Sequence, residues 1–558
     1  MVILLFLVAV VLFVTAYFVY GKWQERFYEL DDSKKTPAQE LYDGVDYVPA
    51  HPTILLGHHF SSIAGAGPIV GPITAASIFG WLPAYLWIVI GSIFFGAVHD
   101  MGAIVSSVRH KGKSVAEVID HYIGRRAKLL FNAFAWFALI LVVAAFLELA
   151  AASFAGDPAV AWSAVLYIGL AIVFGLLVYR LGWSFKILTI LFVPLLFSAV
   201  SIGNYSTVLQ TAFSLDIDTW RIILIAYIFF ASVLPVWILL QPRDYLSSWF
   251  LYASLFISAI GLLFVGGKSE VALEAFKGWV SNGNYLWPML FITIACGAIS
   301  GFHSLVGSGT TAKQLKSERD ATKIGYGGML LEGIVAVIAL TTIMVTGKIL
   351  SPAEGLPPNP QYTFAVGFAK FASIFRIPEK IAVSFGMFAI NTFILTSLDT
   401  ATRLARYQLE ELSLGKINKY LATIITVGSS LILVFMKTGS VPVWKMIWPV
   451  FGSANQLTAG LALLGLTAFV MKGLKKKALF TAIPMFFMMT TTIVALIMLA
   501  VSNFKISTLP LAIISIVLIV LALTLAIEAF SVLVEKRQVK KEKVLKEENV
   551  LTENEELD

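Results

Sequence analysis

Charge is scarce in this chain. Of its 558 residues only 13% are Asp, Glu, Lys or Arg, while 58% are hydrophobic. A soluble protein carries about 25% charged residues, so a water-soluble multidomain enzyme is excluded. Cysteine is nearly absent as well. The single Cys296 rules out a disulfide framework and a thiolate metal cluster, and it leaves the redox compartment unread. No G-x-x-x-x-G-K-[ST] loop is present, which excludes a P-loop ATPase, and no H-E-x-x-H occurs. His58 and His59 are adjacent, and on a helix their side chains point about 100° apart, so they do not share a metal. Gly65-Ala-Gly67 lacks the strand context of a dinucleotide site. No cofactor, resident metal or catalytic residue is called for, and the chain is expected not to be an enzyme. The net charge of +7 sits in short loops and at the tail, so nucleic acid is not an expected partner.

What is present is apolar length. Runs of roughly 18–25 residues, enough to cross ~30 Å of hydrocarbon as helix, recur along the chain. They predict an all-α polytopic membrane protein with about fifteen transmembrane helices, near 2–20, 54–77, 80–104, 128–152, 159–179, 183–203, 220–241, 247–266, 286–310, 325–346, 380–402, 420–437, 443–471, 478–501 and 509–533. Residues 2–20 read as a retained peripheral span, because the basic start and small-residue cleavage site of a signal peptide are missing. Basic residues follow the odd-numbered spans: Arg109 to Lys128, Arg180 and Lys186, Arg243, Lys313 to Lys323, Arg403 to Lys419, and Lys472 to Lys477. The positive-inside rule then places the N-terminus outside and the C-terminus in the cytoplasm. Residues 21–53 form a cytoplasmic linker and 534–558 a charged cytoplasmic tail. Residues 347–379 form an outer loop whose apolar stretch, Tyr362–Phe371, is expected to lie at the interface rather than to gate the outer mouth.

Phe60–Pro72 is the most telling stretch. Gly65, Gly67, Gly71, Pro68 and Pro72 fall within one span, and backbone that breaks in a membrane survives only around a protein-lined cavity. The N–H groups freed near Gly65 and Gly67 suit a carboxylate, and Ser61 and Ser62 add hydroxyls. Five spans later, running the other way, the seventh span carries Pro235 beside Ser232, an expected second break. Spans two to six (54–203) and seven to eleven (220–402) then read as the two halves of a LeuT-like 5+5 inverted repeat, with four additional helices over 420–533. In the ninth span Ser300, Ser304, Ser308 and Thr311 share one helical face that could hold a cation, or could simply bond back to their own helix. His303 lies beside Ser304 and could titrate near neutral pH. Asp100 with His99, and Asp399 one turn before Arg403, read as structural ion pairs near the inner ends of their spans. Glu332 also lies toward that end, and Glu148 toward the outer one.

Six blocks carry a resemblance. They are His59–Pro72, Gly96–Asp100, Leu240–Tyr245, Gly301–Ser304, Thr396–Arg403 and Trp448–Gln456. Together they resemble the carbon starvation protein A (CstA) family of bacterial peptide and pyruvate transporters, over about residues 50 to 465. The resemblance implies an inner-membrane secondary transporter acting under nutrient limitation. Its partners would be the lipid bilayer, a small-molecule substrate (peptide or pyruvate), and a coupling proton or sodium ion. The expected substrate-binding residues are Ser61, Ser62, Gly65, Gly67 and Ser232, and the expected coupling residues are His303, Ser304 and Ser308. A nutrient sensor or channel on the same fold is the alternative, which gradient-driven accumulation would distinguish.

Overall fold

A computed structural model of the chain describes residues 1–44, 46–235, 238–266, 270–352, 354, 357–436, 441, 443–505 and 508–531. The charged tail expected over 534–558 lies outside the described residues. In hydrocarbon each backbone polar group needs an internal partner, so the apolar runs fold as helices. The helices used below are α1 Val2–Phe27, α2 Pro52–Ile63, α3 Gly67–Phe79, α4 Trp81–Arg109, α5 Arg125–Gly156, α6 Pro158–Tyr179, α7 Phe185–Tyr205, α8 Ile217–Val233 and α9 Leu240–Val265. They continue as α10 Leu286–Ile294, α11 Gly301–Gly309, α12 Thr322–Thr346, α13 Pro360–Ala372, α14 Glu379–Leu412, α15 Lys419–Val434, α16 Val443–Gly473, α17 Leu479–Lys505 and α18 Leu509–Ser531.

Among the described residues, twelve helical segments are long and apolar enough to cross a membrane, counting Leu286–Lys313 as one. The pair α2 and α3, bent by 46°, adds a thirteenth as one broken span. The other two of the fifteen expected stretches form shorter helices, α8 of 17 residues and α15 of 16. At 1.5 Å per residue each reaches only ~25 Å. Burial separates core from shell. The most apolar windows of Leu286–Lys313 and Val443–Gly473 are 94% buried, against 28% for α1. The central helices therefore pack on protein, while α1 turns Leu4, Leu7 and Val11 outward. Small residues let the core helices approach: Gly301 lies against Thr458 and Asn455 of α16, and Gly367 against Thr342.

The loops gather in two sets. At one end Arg109 pairs with Glu318 at 2.8 Å, Lys476 with Glu29 at 2.6 Å, and Lys472 donates to the Tyr122 carbonyl at 2.7 Å. The Lys476 hydrogen bond and charge hold the Glu29 carboxyl below the usual carboxylate range. The 21–53 linker is pinned there too, through Thr36 to the Leu315 carbonyl and Ala50 to Gln314. At the other end the backbone of Trp81 and Leu82 meets Glu274 and Ala275, and Ser384 donates to Asp157 at 2.8 Å.

Three sequence expectations change. The outer stretch does not lie at the interface: α13 is buried, with Phe364, Phe368 and Phe371 at most 5% exposed, packed against α14, α12 and α9. The seventh span does not run to 241. Its helix stops at Val233, before Pro235, and Arg403 of α14 donates to the freed carbonyls of Ala231 and Leu234 at 3.0 and 2.5 Å. Arg243 is not a loop cation, because Leu240–Val265 is one helix and Arg243 in its first turn is fully buried.

Candidate transport site

Two interrupted spans meet in the core. The first break is local in origin. Helix α2 ends at Ile63, Gly65 turns the chain with its N–H on the Ile63 carbonyl at 2.8 Å, and α3 restarts at Gly67 with Pro68 in its first turn. Pro68 has no N–H to lose, so it favours a helix start there. Ser61 and Ser62 both donate to the His58 carbonyl, at 3.0 and 2.8 Å. All four of these predicted residues are buried at this one break.

Besides the break expected at Pro235, where the seventh span's helix does end, there is one that was not expected. The ninth span is interrupted between α10 and α11, where Ala295 takes φ +46° and a short 3-10 turn runs over Ala295–Gly297. Its loose ends are tied by α16. Trp448 donates to the Thr293 carbonyl at 3.1 Å and Gln456 to the Phe291 carbonyl at 2.7 Å. The Asn455 carbonyl oxygen accepts from the Phe302 N–H at 3.0 Å, and its amide donates to Ser300 at 3.0 Å and Cys296 at 3.2 Å. Asn455 thus caps α11 from another helix. Trp448, Asn455 and Gln456 of the Trp448–Gln456 block are therefore spent on this break.

The two breaks touch. A Cβ on Gly67 would overlap the Cys296 side chain, and one on Gly71 would overlap the Thr293 and Ile294 carbonyls. Glycine at these positions lets helix α3 lie directly on the break in the ninth span. Ser397 of α14 and Phe146 of α5 close over Gly65 in the same way. Two residues along α14, Asp399 pairs with Arg243 and accepts from Tyr227 at 2.6 Å. This corrects the expected Asp399–Arg403 pair: a buried guanidinium needs a buried carboxylate, whereas Arg403 caps α8. Glu148 holds Arg221 through two hydrogen bonds of 2.6 and 2.8 Å.

The remaining predicted residues divide. Ser232 is buried with no hydrogen-bond partner. It follows Ala231, which packs with Leu239 and Leu240 in a small cluster of its own. Ser304 and Ser308 donate to the carbonyls of Gly301 and Ser304, both at 2.7 Å, so their hydrogens go to their own helix. His303 contacts two acids: Nδ1 lies 2.8 Å from Asp100 and Nε2 3.1 Å from Glu332. His99 meets the other Asp100 oxygen at 2.7 Å, and His59 meets Thr311 at 2.8 Å. Asp100 and Glu332, read from sequence as lying toward one end, join in the core. Ser397, Cys296 and Asn455 were missed. Only the pair Gly297 and Gly301 hinted at a second weak point.

A sequence profile of the family described as "Carbon starvation protein CstA" matches residues 1–354 and 351–495. The chain is 34% identical to the "Peptide transporter CstA" of Bacillus subtilis over 82% of this chain and 83% of that protein. It is 29% identical to the "Pyruvate/proton symporter BtsT" of Escherichia coli over 83% of this chain and 76% of that one. Among solved structures, the manganese transporter of Eremococcus coleocola superposes with a TM-score of 0.50 at 13% identity. That match spans 89% of this chain and 99% of the other, and at such low identity the likeness is one of fold.

Proposed function

The chain belongs to the carbon starvation protein CstA family, and from that premise we propose a cation- or proton-coupled symporter that takes up small carboxylate-bearing nutrients. It is a multi-pass membrane transporter, not an enzyme. Peptides and pyruvate are the substrate classes suggested by its relatives, and both carry the carboxylate that a half-helix start can hold. In this reading spans 54–203 and 220–402 are the two halves of a 5+5 inverted repeat. The protein lies in the bacterial inner membrane with the N-terminus outside and the C-terminus in the cytoplasm. The clustering of the basic loops at one end supports that orientation.

The observation that carries the proposal is the contact of two unwound spans at Gly67 and Cys296. A membrane protein keeps irregular backbone at depth only where it is buried in protein or lines a cavity, and in secondary transporters such broken helices hold the substrate. The cradle is assigned to Gly65 and Gly67 with Ser61 and Ser62, and Ser232 is kept as a second-half contributor. The coupling site is assigned to His303, on a helix whose backbone Ser304 and Ser308 brace. Purified protein in liposomes should accumulate pyruvate or a dipeptide under an imposed proton or sodium gradient, saturably. Equilibration without accumulation would instead mark a channel, and binding without flux a sensor.

A further inference from the structure

Glu332 is fully buried, and neither of its carboxylate oxygens has a hydrogen-bond partner. His303 Nε2 stands 3.1 Å from one of them, out of line for a hydrogen bond. Its Nδ1 is engaged at 2.8 Å with Asp100, whose other oxygen meets His99 at 2.7 Å. His59 completes the group. Its ring sits against Gly328, one turn before Glu332, and its Nε2 is buried without a partner. Around the group α4 presents His99 and Asp100; α2 presents His59 and, turned toward Asp244 at 4.0 Å, His58; α11 presents His303, α12 Glu332 and the 295–297 turn Cys296. Helix α16 presents the neutral Asn455 and α1 the apolar Phe13. Among the described residues no Lys or Arg pairs with Asp100 or Glu332.

The charge of this group is therefore set by protons alone. Two acids and three imidazoles carry no net charge only when two protons are bound beyond the neutral rings. One proton on His303 balances Asp100, and Glu332 is then the acid left over. An uncompensated carboxylate in a membrane core is costly and marks a functional pathway. The ligand set does not suit a hard cation, which takes oxygens. Ser304 and Ser308 have turned their hydrogens to their own helix, and among the described residues no three His, Cys, Asp or Glu side chains are arranged to hold a metal ion.

We propose that the coupling ion is a proton and that Glu332 carries it, with His303, held by Asp100, as its positioning residue. This rests on the transporter reading above. An O–H bond forms on a Glu332 carboxylate oxygen when the proton is loaded and breaks when it is released, with no other bond changed. The link to substrate runs both ways from the acid. His303 rides on α11, whose start at Ser300 adjoins the Cys296 turn lying on Gly67. His59 rides on α2, two residues before Ser61. Charged Glu332 attracts the His303 imidazolium and holds α11 toward α12; protonated Glu332 releases it.

The test uses full-length protein in liposomes, with pyruvate and a dipeptide as probes, under a pH gradient or a sodium gradient alone. Wild type should concentrate a probe under the pH gradient and not under sodium. E332Q, fixed in the neutral form, should lose pH-driven accumulation by roughly 5- to 150-fold, an ordinary coupling range, while still exchanging substrate in counterflow. H303Q should shift the pH profile of uptake, which a purely structural role would not do. Full pH-driven accumulation by E332Q, or sodium-driven accumulation by wild type, would overturn the inference and leave the transporter reading standing. No flux of either probe by wild type in any gradient would refute both. If E332Q does not fold, E332D takes its place: a coupling acid displaced by one methylene alters the pH profile, and an unchanged profile counts against Glu332.

Discussion

Replacing Gly67 by Ala tests whether the two broken spans meet as described. The new Cβ would stand 2.5 Å from Cys296 Sγ, where ordinary contact begins at about 3.5 Å, so the groups must part by about 1 Å. Sliding α3 offers no escape, because Gly71 already lies on the backbone carbonyls of Thr293 and Ile294. Overpacking of this kind costs ~1–3 kcal/mol. Applied to the arrangement described here and not to an alternative one, that shifts the balance of conformations by roughly 5- to 150-fold. G67A should insert normally, unfold at lower temperature, and slow in initial uptake by about that factor. Adding C296G removes both overlapping atoms, and the double mutant should recover stability with a coupling energy of ~0.5–3 kcal/mol. Wild-type uptake and melting temperature in G67A would refute the contact. Recovery of stability without recovery of uptake would assign Gly67 to the substrate rather than to packing.

D399N leaves Arg243 with the adjacent Asp244, 3.2 Å away, as its remaining buried counter-charge, and should cost ~1–3 kcal/mol, read as a fall in melting temperature. R243M/D244N/D399L, uncharged at all three positions, should regain most of it, and no difference between the two would undercut the buried ion cluster. N455A removes the cap on α11 and should lose ~1–3 kcal/mol together with uptake. N455D keeps the acceptor for the Phe302 N–H and should fall between N455A and wild type, so equal damage in both would assign the role to the amide donors instead.

The first break was legible because its cause is local. Gly65, Gly67, Pro68 and Pro72 each weaken a helix by themselves, and the structure bends there by 46°. The gathering of Arg109, Lys472 and Lys476 at one end was legible for the same reason, since each loop carries its own charge. The break in the ninth span was hidden because Ala295, Cys296 and Ala298 are acceptable in a helix, and what holds the chain open is Asn455 from a distant span. Asp399 shows the opposite error. Spacing of four to Arg403 is a sound local rule, yet the buried Arg243 outcompetes it. Arg243 itself sat beside Pro242 and Asp244 and read as a loop, although a proline in the first turn of a helix is tolerated. Ser232 was assigned by symmetry, and no local feature of the sequence showed that it follows a residue of a separate cluster.

Cys296 gives the most direct test of a substrate site at the junction of the breaks, because it is the sole cysteine of the chain and lies against Gly67. Alkylation of wild-type protein in liposomes can be followed by mass spectrometry, with and without a transported substrate. The account predicts that labelling is slowed at substrate concentrations that half-saturate uptake. Labelling that proceeds at the same rate with and without substrate, while transport continues, would contradict it.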